Sequence, residues 1–375
     1  MAHETTPNRL RDEAAGAYEP FARGVFPVGV RTIPVHDTVR NRLFPCEIWY
    51  PAAARHAGRD LSPETQDTFT VPSRGTSGRQ SAVRDASPRP GTYPFIVFSH
   101  ASGHHRRGST FLCTHLSSHG YVVGALDHSE VVAPELARRD GETEDQQAAR
   151  AEAMIASRVP DVRFLLDRLF DGSPWDADIT LFREQIGIVG HSFGGWTALA
   201  TPEADRRIRT VVALAPGGSS RPKPGILPGK LSLNWGRRVP ALYLVAENDT
   251  PLPLDGMLEI FERAPAPKQM VILRRADHAH FMDDVAREHE TVRTMTWPEM
   301  LAWLPKGMRP IAELCSEERA HLFVRGLTLC HMDAVLRNQS AAEQFLWGDI
   351  EGGLARRGVE VIASTFGGTT LLQRS

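Results

Sequence analysis

The sequence predicts a doubly wound, mostly parallel α/β sheet with helices on both faces and a helical C-terminal extension. Several short apolar runs rich in β-branched residues have the length and composition of buried strands. These runs cover residues 95–99, 121–126, 186–190, 210–215, 241–246 and 270–273. Helical segments lie between them; residues 161–170, for example, begin just after Pro160 and carry apolar residues at helical spacing on one face. Strands that alternate with helices in this way are typical of a parallel sheet.

Composition and charge exclude several classes of protein. Lysine and arginine (43) nearly balance aspartate and glutamate (45), which gives no electrostatic reason to expect a nucleic-acid or membrane-surface partner. The four cysteines show neither metal-site spacing nor the density of a disulfide framework. The polar N-terminus has no apolar signal core, and no apolar run approaches membrane-spanning length. We therefore expect a cytoplasmic protein without an integral membrane segment, and its oligomeric state stays open.

The 375 residues fit one main domain with appendages. Three stretches interrupt the strand–helix alternation: residues 52–92 are polar and rich in Arg, Ser and Pro, residues 130–156 resemble a solvated helix and loop, and residues 216–239 are rich in Gly and Pro. Apolar residues near the C-terminus recur at helical spacing, which predicts helices packed on the same domain. The expected parts are a polar segment (1–25), the main domain (26–308) with loop insertions at 52–92 and 216–239, and the helical extension (309–375).

The strongest functional signal is the stretch "GIVGHSFGGW", residues 187–196. Gly190, Ser192 and Gly194 form a G-x-S-x-G motif directly after an apolar run and directly before a plausible helix start. In this strand–turn–helix context the serine sits on a sharp, strained turn, and small flanking residues avoid clashes. The motif therefore predicts that Ser192 is a nucleophile, and the alternative is a tight glycine turn without chemistry.

A serine hydroxyl needs a base to take its proton and a carboxylate to orient that base. Downstream of Ser192, Asp249 and Glu247 follow one predicted strand, and two histidines follow the next. We prefer Asp249 as the acid, because Glu247 is closer to its strand. We prefer His278 over His280 as the base, because it comes first after the turn.

The developing oxyanion requires two hydrogen-bond donors. The backbone N–H of Phe193 directly follows the candidate nucleophile at the start of a helix. The second N–H is expected from the loop after residues 95–99, at Ser102 or Ala101. The alternative is that this loop is a structural turn, shaped by its glycine, without a role in catalysis.

At these residues the sequence resembles a known family. The stretch "PFIVFSHASGHHRRGSTFLCTHLSSHGYVVGALDH", followed by "GIVGHSFGG", is similar to α/β-hydrolases of the platelet-activating factor acetylhydrolase type. Dienelactone-hydrolase-like and cutinase-like polyester hydrolases are similar as well. The likeness extends over residues 26–283 and implies the α/β-hydrolase fold, a serine esterase activity and no cofactor.

The resemblance also implies roles for single residues. Ser192 matches the nucleophile, Phe193 and Ser102 match the oxyanion donors, and His278 matches the base. The acetylhydrolases place their acid after the strand that follows the nucleophile, where this sequence reads "APGG"; Asp249 instead matches the cutinase-like position. Ala101 replaces the usual glycine, and the serine nucleophile argues against dienelactone as substrate, because dienelactone hydrolases use cysteine.

The sequence thus predicts a serine hydrolase that cleaves small or lipid-like carboxylic esters through an acyl-enzyme intermediate. Amidase or acyltransferase action on the same triad is an alternative, as is a binding protein on a hydrolase scaffold. A further alternative is a metal-dependent hydrolase with His278, His280, Asp283 and Asp284 as ligands, completed by Asp127 to Glu130.

Overall fold

The computed structural model describes residues 18–71, 75–139, 141–172 and 175–366. Within these residues, ten strands form one sheet and two more form a small separate sheet. The strands are β1 (Val28–Asp37), β2 (Arg42–Pro51), β3 (Asp67–Thr70), β4 (Ser77–Gln80), β5 (Val83–Arg84), β6 (Gly91–Ser99), β7 (Val122–Leu126), β8 (Ile179–His191), β9 (Ile208–Leu214), β10 (Ala241–Ala246), β11 (Lys268–Leu273) and β12 (Val361–Phe366). The order in the large sheet is β12-β11-β10-β9-β8-β6-β7-β2-β1-β5.

The helices alternate with these strands. They are α1 (Thr110–Ser118), α2 (Ser129–Val132), α3 (Glu144–Phe170), α4 (Phe193–Ala204), α5 (Leu254–Arg263), α6 (Val285–Thr294), α7 (Leu304–Gly307), α8 (Glu317–Leu336), α9 (Ser340–Trp347) and α10 (Ile350–Ala355). α1 packs against α8, and α3 packs against α4, so that two helix layers cover the sheet. None of the helices in the described residues is both long enough and apolar enough to cross a membrane.

The parallel centre of the sheet confirms the predicted fold class. β7, β6, β8, β9, β10 and β11 are parallel neighbours in that spatial order, and each of the six predicted apolar runs falls within one of them to within one residue. β10 and β11 are buried along their whole length, as expected for strands covered on both faces. Because the strands are parallel, their carboxyl ends meet at one edge, where the loops after β6, β8, β10 and β11 converge.

The helix predicted to begin after Pro160 begins much earlier. α3 runs continuously from Glu144, and Pro160 lies inside it. Proline removes one intrahelical hydrogen bond, here to the carbonyl of Ala156, but it fixes a backbone angle that suits a helix. A capping box at Thr143 and a buried apolar face outweigh this loss, so the predicted boundary was wrong.

The two insertions differ in structure. Residues 52–92, expected to be a surface excursion, contain β3, β4 and β5, and β5 pairs in parallel with β1 at the sheet edge. Residues 216–239 contain neither helix nor strand, which agrees with their glycines and prolines. Residues of the first half of this stretch, including Gly217 and Leu227, line a cavity beside α5.

The C-terminal region is helical but also contributes a strand that the sequence analysis missed. α8 packs against β8, β9 and β10, and its apolar face, including Phe323, Leu327 and Cys330, is buried. After α10 the chain returns to the sheet, where β12 pairs antiparallel with β11 along six residues. The run "VIAS" at 361–364, which begins with two β-branched residues, is the sequence pattern from which this strand could have been predicted.

A buried carboxylate anchors α8 to the rest of the protein. Asp333 accepts hydrogen bonds from the hydroxyls of Tyr18 (2.9 Å) and Tyr121 (2.8 Å) and from Arg337 Nη1 (3.0 Å). Only 3% of Asp333 is exposed. The three donors come from the N-terminal segment, the loop before β7 and the residue directly after α8, so one side chain joins distant parts of the chain.

We expect Asp333→Ala to lower the free energy of unfolding by about 3 kcal/mol, because it leaves buried donors without their acceptor. Urea titration followed by circular dichroism measures the change. Glu318→Ala, an exposed substitution on the same helix, is the control and should change stability by less than about 0.5 kcal/mol. Equal stability of the two variants would contradict this role of Asp333.

Candidate active site

Ser192 occupies a strained turn between β8 and α4. Its φ of 59° and ψ of −116° lie outside the regions that a non-glycine residue ordinarily adopts. Neighbouring backbone holds it there: the N–H of Ser192 donates to the carbonyl of Leu214 (2.9 Å), and its carbonyl accepts from the N–H of Gly217 (3.1 Å). Such strain persists only where the surroundings fix it, and it is common at functional sites.

The glycines around Ser192 are required by close backbone contacts. A Cβ on Gly190 would lie 2.0 Å from the carbonyl oxygen of Gly194, and one on Gly194 would lie 2.0 Å from the carbonyl oxygen of Ser99. A Cβ on Gly195 would lie 2.9 Å from Cα of Pro216. The first turn of α4 therefore presses directly against the ends of β6 and β9.

His278 and Asp249 form a hydrogen-bonded pair at the same edge of the sheet. Nδ1 of His278 lies 2.6 Å from Oδ2 of Asp249, and Oδ1 of Asp249 accepts from the N–H of Leu252 (2.8 Å). The Asp249 side chain is fully buried, whereas 20% of the His278 side chain is exposed. The buried carboxylate thus fixes the imidazole through Nδ1, while part of the ring stays exposed.

The electrostatics of this pair favour a charged imidazole. Burial opposes the positive charge on His278, but the Asp249 carboxylate and its hydrogen bond outweigh burial and raise the pKa of His278 above its ordinary value. A donating Nδ1–H is the tautomer that this contact implies. In the neutral ring, Nε2 then carries the lone pair that can accept a proton.

The structure brings this pair next to the serine turn. The ring centroid of His278 lies 4.6 Å from that of His191, the residue directly before Ser192. The loops that carry the pair are tied together by a hydrogen bond from the N–H of Asn248 to the carbonyl of Ala276 (2.8 Å). Three loops after β8, β10 and β11 therefore meet at one place.

The other acid considered, Glu247, faces elsewhere. Its Oε2 accepts from the N–H of Arg275 (2.9 Å), and its Oε1 lies 3.3 Å from Nε of Arg274. Both partners belong to the turn after β11. The two carboxylate oxygens of Glu247 therefore bind this turn, whereas the carboxylate that binds His278 is that of Asp249.

The loop after β6 forms a tight turn beside α4. The N–H of His104 donates to the carbonyl of Ala101 (3.2 Å), and Gly103 adopts a φ of 72° that favours glycine. Ala101 is buried and Ser102 is exposed. Phe193, the first residue of α4, has an N–H without an intrahelical acceptor, as all first-turn residues do.

The residues of the metal-site alternative are engaged in other contacts. His280 is fully buried and its ring nitrogens contact Asp277 Oδ1 (2.7 Å) and the carbonyl of Cys315 (3.1 Å). Asp283 accepts from the N–H groups of Thr110 (2.7 Å) and Phe111 (3.0 Å) at the start of α1. Within the described ranges, no group of three or more His, Cys, Asp or Glu side chains is placed to hold a metal ion.

Sequence analysis assigned no role to Asp277, which organises the loop next to His278. Its carboxylate accepts from the N–H of Ala279 (3.0 Å) and from Nδ1 of both His280 and His289. Burial opposes a charge on His280, but its bonds to Asp277 and the Cys315 carbonyl raise its pKa to about 10. The sequence pattern that could have identified this role is the D-x-x-H spacing of Asp277 and His280, which is typical of a helix N-cap.

Comparison with known proteins identifies relatives of this chain. A profile of the Dienelactone hydrolase family matches residues 82–307, more than half of the chain. The platelet-activating factor acetylhydrolase of Cavia porcellus is 26% identical over 226 residues, which cover 51% of this chain and 48% of the relative. The protein of the same name from Bos taurus is 29% identical over 155 residues, covering 32% of this chain and 34% of the relative. The chain thus spans at most about half the length of these two relatives.

The structure is also similar to a solved one. A ferulic acid esterase from Streptomyces cinnamoneus superimposes with a TM-score of 0.58 at 22% identity, covering 87% of this chain and 93% of that chain. At this identity the likeness concerns the fold, which is that of the α/β-hydrolases. The family profile spans the loop after β6, the serine turn and the loops that carry Asp249 and His278; the protein belongs to the dienelactone hydrolase family.

Proposed function

We propose that the protein is a serine hydrolase of carboxylic esters. The observation that carries this proposal is the convergence of a strained serine turn with a histidine that is bound to a buried carboxylate. A serine on such a turn presents its hydroxyl at the edge of the sheet, and a histidine fixed through Nδ1 presents Nε2 as a base. The two acetylhydrolases among the relatives carry the name of an ester-cleaving activity, which supports the same reaction class.

In this mechanism Nε2 of His278 takes the proton of the Ser192 hydroxyl as Oγ attacks the ester carbonyl carbon. The C–O bond to the alcohol then breaks, and the alcohol leaves with the proton from His278. Water attacks the resulting acyl-enzyme with His278 again as base, and the acid is released. Asp249 stabilises the imidazolium that forms in each half of the reaction.

The negative charge on the carbonyl oxygen requires donors that are already in place. We assign these donors to the backbone N–H groups of Phe193 and Ser102. The first lies at the N-terminus of α4, where the helix dipole adds a favourable potential. The second lies on the β6 loop, against which the first turn of α4 presses through Gly194.

Two cavities lie near the carboxyl edge of the sheet, and neither is lined by Ser192, Asp249 or His278 themselves. One of about 420 Å³ lies between the loop after β9 and α5, and its lining includes Gly217, Leu227 and Leu252. The other, of about 370 Å³, is lined in part by His104 and Asp283. Volumes of roughly 300–1,000 Å³ are typical of sites for small molecules. The 420 Å³ cavity is lined by Gly217 and Leu252, whose N–H groups bond to Ser192 and Asp249, and we therefore propose small or lipid-like esters with a short acyl chain.

Ser192→Ala should reduce hydrolysis of p-nitrophenyl acetate by at least about 10⁴-fold, because it removes the attacking oxygen. Initial rates at saturating ester measure the loss. Labelling by a fluorescent organophosphonate should disappear in the same variant, since the reagent reacts with an activated serine.

Ser340→Ala, an exposed substitution far along the chain at the start of α9, is the matched control and should keep full activity and labelling. Ester hydrolysis that persists at the wild-type rate in Ser192→Ala would refute the proposed function.

Asp249→Asn should lower kcat by roughly 10³- to 10⁴-fold, since the amide no longer stabilises the imidazolium. It should also lower the pKa of His278: the contact with the carboxylate raises it, and burial, which acts in the opposite direction, would remain. The acid limb of the kcat/KM profile should therefore move to lower pH. Glu247→Gln is the control, and equal effects of the two substitutions would contradict the choice of acid.

A series of p-nitrophenyl esters tests the proposed substrate size. We expect kcat/KM to be highest for acetyl or butyryl esters and to fall by about tenfold or more for the dodecanoyl ester, because the cavities are near the lower end of the usual range. A maximum at the longest chain would overturn the short-chain proposal while leaving the serine mechanism intact.

A further inference from the structure

Arg158 is a charged side chain in the interior that the proposed mechanism does not use. It lies on α3, and none of its side chain is exposed. An unpaired charge at such a depth would be strongly destabilising. Its partners therefore reveal what the residue does.

The guanidinium of Arg158 is fully engaged by the β6 loop and by one carboxylate. Nη1 donates to the carbonyl of His100 (2.7 Å) and lies 3.4 Å from Oγ of Ser99; Nη2 donates to the carbonyl of Ala101 (3.5 Å). Nε lies 3.1 Å from Oε2 of Glu130, and Nη2 contacts the other oxygen of the same carboxylate. These contacts account for all of the N–H donors that a guanidinium offers.

The same guanidinium also contacts the start of α4. Its Cζ lies over the ring of Phe193, 4.2 Å from the ring centroid, which is a favourable cation–π distance. Arg158 therefore touches both segments to which we assign the oxyanion donors, the β6 loop and the residue after Ser192.

Peptide geometry converts these contacts into an orientation. In a trans peptide the C=O and the following N–H point in opposite directions. Bonds that hold the carbonyls of His100 and Ala101 toward Arg158 therefore turn the N–H groups of Ala101 and Ser102 away from it. The hydrogen bond from Nδ1 of His100 to the Ala101 carbonyl (2.7 Å) helps to fix the orientation of the same peptide group.

We propose that Arg158, held by Glu130, is a positioning residue that sets the β6 loop in its oxyanion-binding conformation. This inference rests on the proposed serine mechanism. Lysine would not replace arginine, because only the planar fork reaches two carbonyls and a carboxylate together. Packing alone does not explain the charge, since apolar residues of the same volume are often at least as stabilising as a buried ion pair.

The test is Arg158→Lys, assayed with O-(4-nitrophenyl) thionoacetate beside the ordinary acetate. Sulfur accepts hydrogen bonds weakly, so the thiono ester benefits little from the oxyanion donors. We expect kcat for the oxygen ester to fall by about 10²-fold with little change in KM, and the ratio of oxygen-ester to thiono-ester rates to fall by about tenfold or more. A merely structural defect would lower both rates together and keep the ratio.

Arg150→Lys is the matched control. Arg150 lies on the same helix and pairs through Nε with both oxygens of Glu142 (3.0 and 3.1 Å), so it reproduces the loss of an arginine–carboxylate pair away from the β6 loop. Its rates and its ratio should equal those of the wild type. Circular dichroism measures whether each variant is folded.

Glu130→Gln keeps the test decisive if Arg158→Lys does not fold. It leaves the arginine in place but removes the charge that orients it, and we expect a smaller loss with the same fall in the rate ratio. An unchanged ratio in a folded Arg158→Lys, or in Glu130→Gln where the first is unfolded, overturns the inference. If Ser192→Ala is inactive in the same experiment, the proposed function survives that result; if Ser192→Ala is active, both fail.

Discussion

The contact on which the site depends is made between two stretches of backbone. The first turn of α4 approaches the end of β6 so closely that a single added carbon on Gly194 would lie 2.0 Å from the carbonyl oxygen of Ser99. This approach places Phe193 beside the loop that contains Ser102 and exposes Ser192 at the sheet edge. The strain at Ser192 is offset by hydrogen bonds from the neighbouring strand and loop.

Three buried charged groups near the carboxyl edge are each held by several partners. Asp249 binds His278 and a backbone N–H, Asp277 binds two histidines, and Arg158 binds Glu130 and two carbonyls. Burial alone would be costly for every one of these groups. The same partners remove rotational freedom from the loops, so the polar groups near Ser192 are ordered before a substrate arrives.

Local patterns in the sequence predicted the sheet, its parallel centre and the edge at which the candidate residues lie. Short β-branched runs identify buried strands, and a residue that follows such a run must lie at the carboxyl edge, which is why Asp249 and His278 could be chosen. The missed features depend on contacts between distant segments. Pro160 reads as a helix boundary, but tertiary packing keeps α3 continuous. No local pattern distinguishes Arg158 from the other arginines of the same helix, since its partners lie 28 to 59 residues away.

Two neighbouring turns of α3 contact the segments that surround the site. Arg158 holds the β6 loop, and three residues later Asp161 accepts from the N–H (2.7 Å) and hydroxyl (2.7 Å) of Ser129. Ser129 begins α2, the short helix that carries Glu130, the partner of Arg158. The carboxylate of Asp161 therefore positions the helix whose next residue positions the arginine. The serine turn is held by β9 and the β6 loop by α3, and Arg158 contacts both the β6 loop and Phe193. The separation between the proposed nucleophile and the proposed second oxyanion donor therefore depends on how α3, α4 and the sheet pack together.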